Sequence, residues 1–363
     1  DKTWTLTGPA GFQLELLTAS LDKPRLMEFR PHGDLLVGSR AGKIYRLRPP
    51  YTQATILAEL EDYPHSLAYR TGELLIAQTD GLYRAPYQPG QAQLEWDAIQ
   101  LLAALPGGGG HSSRTVAIGP DGRVYLSLGI SGNCSDEYLA DSYPFADRRG
   151  GLLVLDESKP EARWQTFASG LRNPVGFDWH PQTKELYASN NGPDHLGYDQ
   201  PPEYFSRLSA DSFHGMPWFQ FDGQSIRRDN CIDTAPPQPR SRVSKPVATF
   251  PARNAPMGVA FAPDSALDER FHNNALVALK GSWGTQPSGG SSGKKSTRRP
   301  PAVLMVRFNS GKAVDVINVI TGFQRPDGRR LARPVGVAIG PDGALYFTSD
   351  THTQGLFRLR PAP

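Results

Sequence analysis

The stretch from Gly170 to Gly192, G-L-R-N-P-V-G-F-D-W-H-P-Q-T-K-E-L-Y-A-S-N-N-G, contains the unit from which the chain is built. A Pro-Val-Gly turn precedes Phe177 and Trp179, and a polar turn separates them from a second apolar run at 186–188. Two short apolar runs joined by a tight polar turn predict a β-hairpin. Because a hairpin returns the chain to its starting end, the Arg-Asn pair before it and the Gly-Pro after it are expected to lie together.

The hairpin pattern recurs along the chain, in copies that begin at Lys23, Pro64, Arg114, Pro256 and Pro334. A spacing of roughly 40 to 80 residues is typical of propeller blades with insertions. Sheets that cannot bury both faces alone can do so when they pack radially. Six copies therefore predict an all-β fold, a single six-bladed β-propeller domain over 1–363. The sixth copy leaves the segment Trp4–Leu17 as the predicted last strand that closes the ring.

Three long segments interrupt the repeat and are predicted to be irregular loops on the active-site face: Ser131–Arg149, Asp194–Lys245 and Gly284–Pro300. In a propeller, loops that join successive blades share one face around the central channel with loops that follow the second strand of each blade. Residues at these positions are expected to converge there. The rule selects His65, His111, Arg172, Asn173, Gly192, Lys280, Arg333 and Asp350.

Composition excludes few classes of protein. The net charge is only +3 and the basic residues are scattered, so nothing indicates a nucleic-acid partner. No apolar run approaches the ~20 residues needed to span a bilayer, so no membrane-spanning helix is expected. The start at Asp1 fits a processed, secreted protein as well as a trimmed chain. The two cysteines, Cys134 and Cys231, fit one disulfide or two thiols, and without a CxxC motif a zinc site is not expected.

Several of the selected residues suit chemistry as well as ordinary structure. His111 follows four glycines and could act as a general base, or could simply bond a neighbouring carbonyl. Lys280 and Arg333 could bind an anionic ligand, or could be solvated cations at strand ends. The carbonyl oxygens of Gly192 and Pro193 could bind a hard cation such as Ca²⁺, or could belong to a plain turn.

Five elements in order resemble the soluble dehydrogenases for glucose and sorbosone that depend on pyrroloquinoline quinone (PQQ). They are the H-x-x-R-x-V-x-I-G-P-D-G run from His111, G-L-R-N-P-V-G-F from Gly170, the N-N-G-P-D loop, A-L-V-A-L-K ending at Lys280, and R-P-V-G-V-A-I-G-P-D-G from Arg333. The G-L-R-N-P-V-G element is more similar to the sorbosone/aldose branch of this family. Members of the family are six-bladed propellers, as the repeat predicts here.

The resemblance implies a role for each matching residue. His111 would take the proton from a hydroxyl or a hydrated aldehyde before hydride passes to PQQ, with Arg172 near the reacting oxygen. Gly192 and Pro193 would offer carbonyls to a Ca²⁺ ion that also binds PQQ. The remaining implied cofactor contacts are Asn173, Lys280, Arg333, Ser131, Asn133 and His65.

The chain also departs from the family's pattern. The glucose enzymes have an acid directly before the base, where this chain has Gly110, so we expect Asp194 or Asp199 to orient the imidazole. In the sorbosone-like branch, cysteines often occur in the loops that hold Cys134 and Cys231, which implies a disulfide between them.

The resemblance thus implies a periplasmic or secreted oxidoreductase dependent on PQQ and Ca²⁺. Its substrates would be aldose sugars or related alcohols and aldehydes, and a diffusible cytochrome or quinone would accept the electrons. Two other classes stay open on the residues alone. A lactonase-like, Ca²⁺-dependent hydrolase would need more carboxylates and Asn side chains in the channel than this chain supplies there, where Asp350 is almost alone. A non-catalytic binding propeller would not need a His, a Lys and an Arg at the matching positions.

Overall fold

The computed structural model describes residues 6–363, which form a six-bladed β-propeller, as the repeat predicts. Blade 1 consists of Pro24–Phe29, Leu35–Ser39, Lys43–Leu47 and Ala54–Glu59. Blade 2 consists of Ser66–Arg70, Glu73–Gln78, Gly81–Pro86 and Gln100–Ala104. Blade 3 consists of Arg114–Ile118, Val124–Leu128, Gly151–Asp156 and Arg163–Ser169, and Ser212–Phe213 pairs in parallel with its outer strand.

The second half of the ring repeats the same antiparallel order. Blade 4 consists of Phe177–Trp179, Leu186–Asn190, Glu203–Leu208 and Ala248–Phe250. Blade 5 consists of Pro256–Phe261, Ala275–Leu279, Ala302–Asn309 and Lys312–Ile320. Blade 6 consists of Ala332–Ile339, Leu345–His352, Gly355–Pro361 and Phe12–Thr18.

The ring is closed by the N-terminal strand, as expected. Phe12–Thr18 pairs antiparallel with Gly355–Pro361, so the first strand of the chain completes the last blade. This closure covers the edge that blade 6 would otherwise expose. Residues 4 and 5 of the predicted closing segment lie outside the described residues.

The segment Asp194–Lys245 is more regular than the sequence suggested. It contains Glu203–Leu208, the third strand of blade 4, and a separate hairpin of Phe219–Phe221 and Ile226–Arg228. The expectation of an irregular loop there was wrong because both faces of Glu203–Leu208 are largely buried, which removes the polar alternation of a surface strand. Short 3-10 helices occupy Pro31–Gly33, Trp96–Ala98, Phe145–Asp147, Arg240–Arg242, Glu269–Phe271 and Lys295–Thr297.

Close packing of the inner strands explains the repeated Pro-x-Gly motif. A Cβ atom on Gly176 would lie 2.1 Å from the carbonyl oxygen of Met257, and one on Gly336 would lie 2.6 Å from that of Arg25. Neither position has room for a side chain, because the next inner strand passes directly over it. The motif therefore marks where neighbouring blades meet at the channel.

Side-chain hydroxyls and apolar clusters then join successive blades. Ser66 donates to the carbonyl of Arg114 at 3.0 Å, and Ser189 donates to that of Met257 at 2.7 Å. Clusters of buried apolar side chains lie between adjacent blades, such as the one that contains Leu75 and Leu126 between blades 2 and 3. These contacts fix the ring and hence the positions of the loops at its channel.

Within residues 6–363 we find no helix with the length and hydropathy needed to traverse a lipid bilayer.

Candidate active site at the channel rim

One end of the channel is bordered by the starts of the inner strands and the ends of the second strands, which we call the channel rim. Three charged side chains from three blades meet there. Lys280 Nζ and Arg25 Nη1 lie 2.8 Å and 2.7 Å from the same carboxylate oxygen, Oδ2 of Asp350. Burial alone would raise the pKa of Asp350, but the positive charges of Arg25 and Lys280 hold it well below its usual range.

A third cation lies beside this cluster. Arg333 donates from Nε to the carbonyl of Lys280 and from Nη2 to that of Gly281, both at 2.8 Å. Burial, together with the nearby charge of Arg25, lowers the pKa of Lys280 to about 7. One carboxylate thus faces three basic side chains, so an anionic ligand at the rim would relieve their mutual repulsion.

His65 is fully buried behind this cluster. Its Nδ1 lies 3.2 Å from Nε of Arg25, and its Nε2 lies 3.1 Å from Oγ1 of Thr115. Burial, and then the charge of Arg25, hold the pKa of His65 well below its ordinary value, so the ring is neutral. Both ring nitrogens have partners within the protein, which makes His65 a support for Arg25. Its contact with a cofactor stays a prediction.

His111 has one nitrogen fixed and one free. Nδ1 lies 2.5 Å from the carbonyl oxygen of Ile130, and because a carbonyl only accepts, Nδ1 carries the proton. Nε2 therefore presents a lone pair, and no side chain or backbone group of residues 6–363 bonds to it. Burial lowers the pKa of His111 to about 4, with a further contribution from Arg172. The neutral imidazole that a general base requires is thus the form present at neutral pH.

The expectation that Asp194 or Asp199 orients the imidazole of His111 was wrong. Asp199 pairs with Arg299 at 2.7 Å, and Asp194 pairs with Arg253 at 3.1 Å. The backbone carbonyl of Ile130 takes the orienting role that we assigned to a carboxylate.

Arg172 and Asn133 hold each other in place. Arg172 donates from Nε to the Asn133 carbonyl at 3.0 Å and from Nη2 to Asn133 Oδ1 at 3.1 Å. Asn133 Oδ1 also accepts from the backbone nitrogen of Asp194 at 2.8 Å. The oxygens of Asn133 are therefore engaged in positioning Arg172. Ser131 is exposed, and its Oγ lies 3.4 Å from Oγ of Ser135. Among residues 6–363, nothing bonds to the side-chain amide of Asn173, which is left for a ligand.

A disulfide joins Cys134 to Cys231, as the resemblance implied. It links the loop that holds Asn133 to the segment that follows the separate hairpin of Phe219–Phe221 and Ile226–Arg228. His195 packs against the sulfur of Cys134, with Nδ1 at 3.4 Å, and its Nε2 lies 2.9 Å from the buried carboxylate of Asp229. The bridge thus stabilises the loop that positions Arg172.

Gly192 and Pro193 form a buried turn with two free carbonyl oxygens. The backbone nitrogen of Gly192 donates to Oε2 of Glu203 at 2.5 Å, but no group within residues 6–363 donates to either carbonyl. Buried carbonyls without donors are uncommon, and a hard cation would satisfy them. Burial raises the pKa of Glu203 to about 7 despite its hydrogen bond from Gly192. The turn therefore fits the calcium ion that the resemblance implied.

Sequence reasoning missed three of these residues. Arg25 is the second residue of the first inner strand, so the rule that selected Arg333 in blade 6 could have found it. Glu203 lies on a third strand and Arg253 in the loop before blade 5, where no repeat position indicates a role.

Comparisons with known proteins agree with this architecture. The sequence profile of the TrAA12-like family matches residues 6–203 and 217–361. An uncharacterized protein of Borreliella burgdorferi is 25% identical over 364 residues, which is 96% of this chain and 89% of the relative.

Three solved structures have the same fold. A Trichoderma reesei carbohydrate-active enzyme of family AA12 has a TM-score of 0.81 at 17% identity, over 99% of this chain and 98% of its own. The PQQ domain of pyranose dehydrogenase from Coprinopsis cinerea has a TM-score of 0.76 at 18% identity, over 98% and 97%. The soluble aldose sugar dehydrogenase of Escherichia coli has a TM-score of 0.67 at 16% identity, over 97% and 100%. At these identities the likeness shows the fold alone.

Proposed function

This chain belongs to the TrAA12-like family, and with the geometry of its channel rim as support we propose that it is an oxidoreductase that uses PQQ and Ca²⁺ to oxidise aldose sugars or related alcohols and aldehydes. The observation that carries the proposal is the cluster of Arg25, Lys280 and Arg333 around the single buried carboxylate of Asp350. PQQ carries several carboxylates, which such a surplus of positive charge would bind.

The other rim residues fit the two groups. Gly192 and Pro193 would hold the cation through their free carbonyls, supported from behind by Glu203. Asn173 has an unbonded amide for the cofactor, and Arg172 is fixed beside it by Asn133. The Coprinopsis cinerea domain is described as a PQQ domain in its holo form, and the Trichoderma reesei enzyme also has a calcium structure, which supports the choice of groups.

His111 would move the proton in this reaction. Its Nδ1 proton is held by the carbonyl of Ile130, so Nε2 accepts the proton of the substrate hydroxyl. When bound, PQQ supplies the quinone that accepts hydride, and Ca²⁺ polarises the quinone oxygen. Arg172, 3.8 Å from Asp194, would bind a substrate or cofactor oxygen on which negative charge develops.

Reconstitution of the purified protein with PQQ and Ca²⁺ tests the proposal. Absorbance of the quinone and reduction of a dye would be followed with a panel of aldoses, sorbosone and simple aldehydes. His111→Asn should bind PQQ as the wild type does and lose sugar-driven reduction, whereas His32→Asn, an exposed histidine at the opposite end of blade 1, should behave as the wild type. Absence of PQQ binding, or full turnover by the His111 variant, would contradict it.

The panel also addresses which branch of sugar dehydrogenases the chain resembles. We propose the sorbosone/aldose branch because of the G-L-R-N-P-V-G run at Gly170 and the cysteine positions. Strong preference for glucose over sorbosone and the other aldoses would argue against that choice.

We also propose that the protein works in the periplasm or outside the cell and passes electrons to a diffusible cytochrome or quinone. The disulfide between Cys134 and Cys231 supports an oxidising compartment. Fractionation of the producing cells, with titration of free thiols, tests this. Recovery from the cytosol with two free thiols would contradict it.

A further inference from the structure

Trp283 presents a large aromatic surface to solvent beside the channel rim. Its relative exposure is 52%, and it lies three residues after Lys280, in the loop between the second and third strands of blade 5. Exposed tryptophans are uncommon because the ring gains much from burial. Trp96 has similar exposure, but it lies in the connection to the outer strand of blade 2.

One face of the Trp283 ring is covered by a fixed cation. The guanidinium carbon of Arg253 lies 4.8 Å from the ring centroid. Arg253 is buried and held by Asp194, through its carboxylate at 3.1 Å and its carbonyl at 3.1 Å. The Nη2 atom of Arg253 has no hydrogen-bond acceptor in the part of the chain that the structure describes. The guanidinium therefore packs against one face of the indole, while 52% of the residue's surface stays exposed to solvent.

The backbone on both sides of Trp283 is anchored. The nitrogen of Ser282 donates to the Arg299 carbonyl at 3.0 Å, and its hydroxyl donates to the Gly284 carbonyl at 2.7 Å. Arg330 donates to the Ser282 carbonyl at 2.7 Å. A ring on such a fixed loop loses little conformational freedom when a ligand packs on it.

The same contacts tie this ring to the proposed active site. Asp194, which holds Arg253, also lies 3.8 Å from Arg172. Arg333 donates to the carbonyls of Lys280 and Gly281, directly before the Ser282–Trp283 pair. Trp283 thus lies in a loop on the rim side of blade 5, and Arg253 and Asp194 link it to Arg172.

We propose that Trp283 is a stacking platform for the pyranose ring of the substrate, an inference that rests on the proposed function and narrows its substrate class to cyclic sugars. A pyranose presents C–H groups on its faces and hydroxyls around its edge. The C–H face would pack on the electron-rich indole, and the half-exposed carboxylate of Asp194 would accept from an edge hydroxyl. The carboxylate of Asp194 is 35% exposed, so a ligand with hydroxyls beside the indole can still hydrogen-bond to it, which a purely apolar ligand cannot do.

Binding of methyl glucopyranoside to the full chain tests the platform without any turnover, because this sugar is blocked at its anomeric carbon. Saturation-transfer NMR and calorimetry would be run with and without added PQQ and Ca²⁺. Trp283→Ala should weaken binding roughly three- to tenfold, and Trp283→Phe should retain most of it. Trp96→Ala should bind as the wild type does. Unchanged affinity in Trp283→Ala, at an unchanged melting temperature, would overturn the platform.

Kinetics separate the two proposals. In an active enzyme, Trp283→Ala should raise KM for aldopyranoses roughly three- to tenfold and leave KM for glycolaldehyde unchanged, since the latter has no ring to stack. An equal rise for both substrates would overturn the role in ring recognition. If PQQ fails to bind but the methyl glucoside still binds through Trp283, the proposed oxidoreductase function fails and the platform stands.

Discussion

Oε2 of Glu203 accepts a hydrogen bond from the backbone nitrogen of Gly192 at 2.5 Å, in the turn formed by Gly192 and Pro193. The carboxylate comes from the third strand of blade 4, and the turn follows the second strand of the same blade. Glu203 thus supports from behind a turn whose two carbonyls point to no donor within residues 6–363.

Removal of this support should weaken calcium binding. Glu203→Ala leaves the nitrogen of Gly192 without its acceptor, and loss of such an outer partner typically costs 10- to 100-fold in metal affinity. Glu203→Gln keeps an oxygen acceptor and should lose much less. Calorimetric titration with Ca²⁺ measures both variants. Equal affinity in Glu203→Ala and the wild type would show that the turn needs no support from this side chain.

Lys280 should control affinity for an anionic cofactor. Lys280→Met removes a partly buried cation of the cluster on Asp350 and should weaken PQQ binding about tenfold or more, as expected for a hydrogen bond to a charged group. Lys312→Met changes an exposed lysine on the outer strand of blade 5 and should bind PQQ normally. Fluorescence or calorimetric titration with PQQ gives both constants. If both variants lose affinity equally, general charge and not this site attracts the cofactor.

The disulfide should contribute to stability. The double variant Cys134→Ser, Cys231→Ser releases a link between residues 97 apart in sequence and should lower the free energy of unfolding by about 2–4 kcal/mol. Urea unfolding curves measure the loss. A reductant should destabilise the wild type to the same extent and leave the variant unchanged, and a reductant effect on the variant would contradict this account.

His214 should make the protein sensitive to mild acid. Burial lowers the pKa of His214 to about 4 from an ordinary value near 6.5, so the unfolded chain binds a proton that the folded protein excludes. Above pH 6.5 this histidine does not reduce the free energy of unfolding. As the pH falls from 6.5 toward 4, its protonation in the unfolded chain lowers the free energy of unfolding by about 3 kcal/mol.

Comparison with His214→Gln isolates that contribution, because all other titrating groups stay the same. The free energy of unfolding of the wild type should fall more steeply than that of the variant between pH 6.5 and pH 4, when both are measured by urea titration. Parallel pH profiles would mean that His214 is protonated in the folded protein as easily as in the unfolded chain.

Much of the fold was predictable because its signals are local. The turn of each hairpin, the alternation of its strands and the glycine of the Pro-x-Gly motif lie within a few residues of each other. Gly176 and Gly336 are needed where the inner strands approach, so the motif recurs with the blades. The strand Glu203–Leu208 escaped prediction because burial on both faces removed its alternation.

The sequence by itself determined the number of blades, the closure of the ring by a strand from the N-terminal segment Trp4–Leu17, and the rim positions of His111, Lys280 and Arg333. Only the tertiary structure decided what those side chains contact. Arg25 and Asp350 are 325 residues apart and meet because the ring closes, and His111 is oriented by the backbone carbonyl of Ile130. A backbone carbonyl is present at every residue and leaves no mark in the sequence, so only the folded chain shows which one a histidine reaches.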